Sequence, residues 1–182
     1  MKRKLLLGSG VAGVSLLLAA SPALAQDADD PSVYLQAVMD NLWVFIAGIL
    51  VFFMQAGFAL VEAGLTRSKN VANIMAKNIA DMCIGVLAFY AVGYAFAYGD
   101  GGGWFIGGNS YFLSGSSLFE ITEGLSGATD FFFQVVFAAT AVTIASGAMA
   151  GRTKFSAYLM FAGLMTAFIY PVVVHWTWGG GL

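Results

Sequence analysis

The chain has 182 residues, 59% of them hydrophobic and only 10% charged, with a mean hydropathy of +0.81. That composition excludes a water-soluble globular domain and points to a bilayer, where about 20 apolar residues make one spanning helix and a chain this long holds four or five. The net charge is −2, and Lys and Arg form no patch that could follow a phosphate backbone, so nucleic acid is excluded as a partner.

In chain order, residues 1–25 read as a cleaved secretory signal peptide. Lys2, Arg3 and Lys4 form its basic start, Leu5 to Ala20 its apolar stretch, and Ala23-Leu24-Ala25 its cleavage site. An uncleaved first transmembrane helix is the alternative. It is disfavoured by the short apolar stretch and the polar Gln26 to Asp30 that follows.

Residues 26–182 then carry four apolar runs, at about 43–64, 74–98, 131–150 and 156–174. Each is apolar at odd and even positions alike, which excludes the alternating strands of an outer-membrane barrel and predicts spanning helices. The fold class expected is an all-α multi-pass membrane protein. Beyond the signal segment, Arg67, Lys69 and Lys77 flank the first turn, and Arg152 and Lys154 lie between the third and fourth runs. Asp27, Asp29, Asp30, Asp40, Asp100, Glu120, Glu123 and Asp130 collect on the other side. The basic side is the cytoplasmic one by the positive-inside rule, so the mature amino terminus and Leu182 are both expected outside an inner (plasma) membrane.

The connection from Gly99 to Asp130 is glycine-rich, with Asp100-Gly101-Gly102-Gly103-Trp104 early and Ser114-Gly115-Ser116-Ser117 later. A phosphate-cradling loop would need a strand before it and a helix opening straight after it. Here a transmembrane helix precedes it, so it reads as an extracytoplasmic loop. Trp43, Tyr98, Trp104 and Trp176 are expected in the interfacial aromatic belt.

Small residues such as Ala59, Ala63, Ala138, Ala141, Ala145 and Ala148 allow helix backbones to approach closely. Gln55, Glu62, Asn73, Asn78 and Asp81 are expected to point inward. Ionisable groups at membrane depth are functional suspects, so Glu62 and Asp81 carry two readings: structural pairing, with Lys77 four residues before Asp81 on the same face, or a place on a translocation path. Cys83, alone in an apolar run, reads as a small core residue. His175, the single histidine, reads as an interfacial or capping residue rather than a proton relay. No Ser-His-Asp set, Cys-His pair or carboxylate cluster with metal spacing occurs, so neither an enzyme nor a bound cofactor or metal is expected.

The pattern that points to binding chemistry is aromatic. Phe133 and Phe137 are four apart and share a helix face, and Trp178 follows the fourth run. An aromatic face attracts a partly desolvated cation by about 2 kcal/mol or more, with Trp the strongest. The alternative is a packed cluster of Phe131, Phe132, Phe133 and Phe137 facing lipid or neighbouring helices.

These residues also carry a resemblance. Met54-Gln55-Ala56-Gly57-Phe58-Ala59-Leu60-Val61-Glu62-Ala63-Gly64 with Thr66-Arg67-Ser68-Lys69-Asn70, Phe133-Gln134-Val135-Val136-Phe137-Ala138, Gly147-Ala148-Met149-Ala150 with Arg152 to Ser156, and Tyr170-Pro171, His175 and Trp178-Gly179-Gly180-Gly181-Leu182 resemble, in order, motifs of the ammonium transporter (Amt/Rh) family. One departure is Gly151, where the family turn carries Glu. The resemblance implies an eleven-helix fold of two inverted five-helix repeats, assembled as a trimer, of which this chain would supply four helices. It implies ammonium recruitment at Trp178 and Phe137, with Phe133 beside them in the aromatic lining. Deprotonation on entry and passage of neutral ammonia would follow, methylammonium being an analogue. Two pore histidines of the family lie on helices beyond this chain, and His175 is neither of them. A trimeric signalling protein docking on the cytoplasmic face is a further implied partner.

By this reading the chain is an amino-terminal segment of a longer transporter. The alternative is the ammonium-sensing membrane domain of a signalling protein, which a kinase or cyclase domain after the last span would reveal. A four-helix structural membrane protein complete at Leu182 is the third reading.

Overall fold

A computed structural model describes residues 31–114 and 124–182. The signal-peptide reading of residues 1–25, and Asp27, Asp29, Asp30, Gly115 to Ser117, Glu120 and Glu123, lie outside the described residues. Among the described residues, four helices are long and apolar enough to span a bilayer: α1 (Pro31–Leu65), α2 (Ser68–Tyr98), α3 (Gly127–Met149) and α4 (Phe155–Thr177). Among the described residues the only strand-like pairing is an isolated bridge between Asp100 and Gly108.

The first helix is already formed at Pro31, well before the apolar run begins at Trp43. Polar residues hide this stretch from hydropathy, yet one of them is buried for a reason. The Asn41 amide donates to Ala37 O (2.8 Å) and Gly124 O (3.0 Å), and its Oδ1 accepts from Ser126 N–H (2.8 Å). Asn41 thereby anchors the start of α3. Ser126 is the N-cap of that helix, its Oγ accepting from Thr129 N–H at 3.3 Å, and Asp130 in the first turn suits the positive end of the helix.

Half of the apolar window of α3 is buried, against 6% for α1, so α3 is the central element and α1 lies at the margin. Phe89, Val135, Val136 and Ala138 form the packed centre between α2 and α3, with Val51, Val86 and Tyr170 against them. Both α2 and α4 widen into one π-helical turn, at Phe89–Gly93 and Met165–Ile169. The two turns touch. Gly93 is the contact point, where a Cβ would stand 2.6 Å from the Thr166 carbonyl oxygen.

The α1–α2 and α3–α4 turns lie at one end, where Arg67, Lys69, Arg152 and Lys154 are exposed. Gly151 in the second turn takes φ +69°, a left-handed conformation costly for the Glu that the resemblance leads one to expect there.

The α2 faces are sorted by a spacing of three and four. Ile74, Lys77, Asn78, Asp81 and Gly85 are buried, whereas Asn73 is exposed and Cys83 lies on the opposite, exposed face with Ile79 and Leu87. The expectations that Asn73 points inward and that Cys83 is a core residue are therefore corrected. Cys83 sits about 120° of helix rotation or more from each buried residue, whereas Asn73, one turn before Lys77, is exposed at the edge of the stripe near the start of the helix. Ala148 on α3 is likewise exposed, whereas Ala138 is fully buried.

Candidate functional site

Three consecutive phenylalanines open α3, and successive helical positions send them in different directions. Phe131 packs on Phe89, Tyr90 and Tyr94, with ring centroids 6.2, 6.1 and 5.6 Å away. Phe132 meets Phe45 of α1 at 5.1 Å. Phe133 instead pairs with Phe137, one turn on, at 5.0 Å and edge to face. The rings thus take different ring partners, while Phe131, Phe132 and Phe137 all pack against the same buried core. Both members of the Phe133–Phe137 pair are half-buried. They lie roughly 9 and 15 Å along the axis from the start of α3 at Gly127.

Trp178 stands at the end of α4, its backbone N–H donating to Val174 O at 2.8 Å and its indole 63% exposed. The structure brings Phe133 and Phe137 together. Among the described residues it makes no ring contact between either and Trp178, which stands at the same end of the bundle as the start of α3.

His175, one turn before Trp178, is buried and caps the last turn of α2, as the capping reading expects. Its Nδ1 lies 2.9 Å from Ala97 O and its Nε2 3.0 Å from Gly103 O. Beside it, Trp176 Nε1 donates to Phe105 O at 2.9 Å. The glycine-rich stretch after α2 is folded into a small hairpin, with Gly101 N–H on Gly108 O (3.2 Å) and Gly103 N–H on Ile106 O (3.0 Å). Trp104 and Trp43 are well exposed.

Toward the opposite end a second constellation is built from buried polar side chains. Glu62 Oε2 accepts from Asn78 Nδ2 (3.0 Å) and Ser146 Oγ (3.1 Å). Asp81 accepts from the Tyr158 hydroxyl, from Gln55 Nε2 (3.3 Å) and from Thr143 Oγ1 (3.5 Å). Gln55 also donates to Thr143 at 2.5 Å. The expected Lys77–Asp81 pairing is not made. Lys77 instead places its Nζ 5.0 Å from the centroid of the Tyr158 ring, and among the described residues no cation is ion-paired with either carboxylate. Neutral donors already occupy Asp81, and the long Lys77 stem reaches the aromatic face. Both carboxylates thus hold the four helices together, which supports structural pairing through neutral groups. No group of three or more His, Cys, Asp or Glu that could hold a metal occurs among the described residues.

Sequence reasoning did not find Ser146, Thr143 and Tyr158 as carboxylate partners, nor Ala97 and Gly103 as the contacts of His175. These pairs are 62 to 84 positions apart, and no local pattern marks them.

The profile of the Ammonium Transporter Family matches residues 42–182. The chain is 45% identical over 175 residues to "Ammonium transporter Amt2" of Archaeoglobus fulgidus, covering 92% of this chain and 35% of that protein. It is 47% identical over 143 residues to "Putative ammonium transporter 1" of Caenorhabditis elegans, covering 77% of this chain and 25% of that protein. Among solved structures it is similar to one titled "Sensor Amt Protein", with a TM-score of 0.73 and 37% identity over 80% of this chain and 35% of that one. The Candida albicans Mep2 structure shares the fold, at a TM-score of 0.68 and 23% identity over 78% of this chain and 31% of that one. The chain spans about a third of the length of the curated relatives it matches.

Proposed function

The chain belongs to the Ammonium Transporter Family, and on that premise we propose that the full-length protein is a channel-like ammonium/ammonia transporter of which this chain is the amino-terminal third. The family match over residues 42–182 carries the reading. What supports it in the geometry is the edge-to-face pair of half-buried Phe133 and Phe137 and the exposed Trp178 at the same end of the bundle.

Recruitment of NH4+ falls to Trp178, whose exposed ring offers a π face to a cation shedding water. Phe137 and Phe133 line the way beneath. An aromatic site of this kind holds the ion without a counter-charge, so the ion also leaves easily. Loss of the proton on entry leaves neutral ammonia, which an apolar path passes and which hydrated alkali ions cannot follow. The proton-handling histidines and the second half of the pore belong to helices outside this chain. The protein acts as a homotrimer in the inner (plasma) membrane with its mature amino terminus outside, and a trimeric cytoplasmic signalling protein is a candidate regulator.

A second reading, an ammonium-sensing membrane domain, is favoured by the similarity to the structure titled "Sensor Amt Protein". Methylammonium uptake by cells expressing the full-length gene separates the two. Saturable uptake is the result expected. Its absence, with a signalling domain following the last span, overturns the transporter reading.

A further inference from the structure

Trp178 is followed by three glycines, the residues least able to hold a backbone in one place. The turn is fixed nevertheless, and the contacts that fix it converge on His175. The His175 carbonyl accepts from Gly179 N–H (3.1 Å) and Gly181 N–H (2.9 Å), wrapping the glycines back over the end of α4. Its imidazole, 5% exposed, reaches in two other directions, to Ala97 O in the last turn of α2 and to Gly103 O in the hairpin. Either neutral tautomer makes one of these hydrogen bonds, and the imidazolium makes both. Gly179 is wedged in the same place, since a Cβ there would stand 2.0 Å from Ala97 O and 2.7 Å from His175 Nδ1. One residue therefore ties the end of α2, the hairpin and the Trp178 turn into a single unit.

We propose that His175 is the positioning residue of the recruitment site: it touches no substrate and sets where the Trp178 indole stands at the mouth. The inference rests on the reading of Trp178 as the recruiting residue. A cation–π contact requires the ion over the ring face within about 6 Å of the centroid, so an indole on a loosened glycine turn captures cations less often. The path beneath is not altered by that loosening. The expected signature is a raised half-saturation concentration at an unchanged maximal rate.

The test uses methylammonium uptake by the full-length protein carrying Trp178→Leu, His175→Ala, His175→Gln, Gly179→Ala, and the double substitution of His175→Ala with Trp178→Leu. His175→Ala and Gly179→Ala are expected to raise half-saturation about three- to tenfold, less than Trp178→Leu, with the maximal rate held within about twofold. His175→Gln, which keeps a donor, is expected to recover part of the loss. The double variant is expected to be no worse than Trp178→Leu alone, because His175 acts through the indole. If Trp178→Leu raises half-saturation and neither His175→Ala nor Gly179→Ala does, the positioning role is overturned and recruitment stands. Multiplicative losses in the double variant also overturn it, as does a fall in maximal rate alone. An unmoved half-saturation in Trp178→Leu overturns the recruitment reading itself, and the positioning role with it. Should His175→Ala fail to accumulate, His175→Gln and Gly179→Ala decide, the latter because its Cβ would press on His175 Nδ1 and Ala97 O and so disturb the same contact with the imidazole retained.

Discussion

The Tyr158 hydroxyl donates to the Asp81 carboxylate, joining α4 to α2 across 77 positions at a place where both residues are fully buried. The same ring lies under the Lys77 ammonium. One tyrosine thus serves the carboxylate through its oxygen and the cation through its face. Tyr158→Phe removes only the donor and is expected to cost about 1–3 kcal/mol, the penalty for leaving a buried acceptor short of a partner. Tyr158→Leu also removes the aromatic face and is expected to cost about 1 kcal/mol more. Thermal unfolding of the purified full-length protein measures both. Equal losses would mean that the Lys77 contact contributes nothing.

Gly93 and Thr166 bring the two π-helical turns into backbone contact. A Cβ on Gly93 would lie 2.6 Å from Thr166 O and 2.7 Å from the Phe89 ring, neither of which has room to retreat. Gly93→Ala is therefore expected to destabilise by about 1–3 kcal/mol, the usual cost of overpacking. Gly163→Ala provides the contrast. Its new methyl group would meet Ile84 at 3.6 Å, an ordinary contact, and is expected to be tolerated. Similar unfolding temperatures for the two variants would refute the account of close approach.

Asn41 clamps the residues that start α3. Asn41→Leu keeps the bulk but orphans Ser126 N–H and Gly124 O, for an expected loss of about 1–3 kcal/mol. The loss is local, so amide exchange in residues 126–130 is expected to accelerate more than in residues 140–146. A uniform acceleration along α3 would show instead that Asn41 contributes only to global stability.

The four spans were legible because lipid demands long apolar helices, and the turn positions followed from the charges that interrupt them. Which face of each helix turns inward was far less legible. In a bilayer the outward face is also apolar, so Cys83 and Ile79 resemble Met82 and Ile84 in sequence although their exposure differs. Polarity misled at Asn73, which is exposed, and helped at Gln55, Glu62, Asn78 and Asp81, which are buried. The Lys77–Asp81 expectation considered only one helix, whereas the partners of Asp81 come from α1, α3 and α4 and that of Lys77 from α4. For the candidate site, spacing alone predicted the Phe133–Phe137 neighbourhood, since residues four apart on a helix must meet. The surroundings of Trp178 depend on a hairpin more than seventy positions away, which no local pattern encodes.

The phenylalanines opening α3 offer an internal control for the aromatic path. Phe133 and Phe137 face each other at 5.0 Å, whereas Phe132, their sequence neighbour, is committed to Phe45 at 5.1 Å. Leucine preserves apolar bulk but has no quadrupole, so the substitution tests the aromatic face rather than hydrophobicity. Removing a contact of about 2 kcal/mol corresponds to roughly a thirtyfold loss of affinity, an upper bound where several rings share the ion. Phe137→Leu and Phe133→Leu are therefore expected to raise half-saturation for methylammonium by about three- to thirtyfold in the full-length protein. Phe132→Leu is expected to leave half-saturation alone and to lower stability by about 0.5–1.5 kcal/mol, the value of an aromatic pair. Were all three variants to lower the unfolding temperature without moving half-saturation, these rings would be packing elements, and recruitment would rest on Trp178 alone.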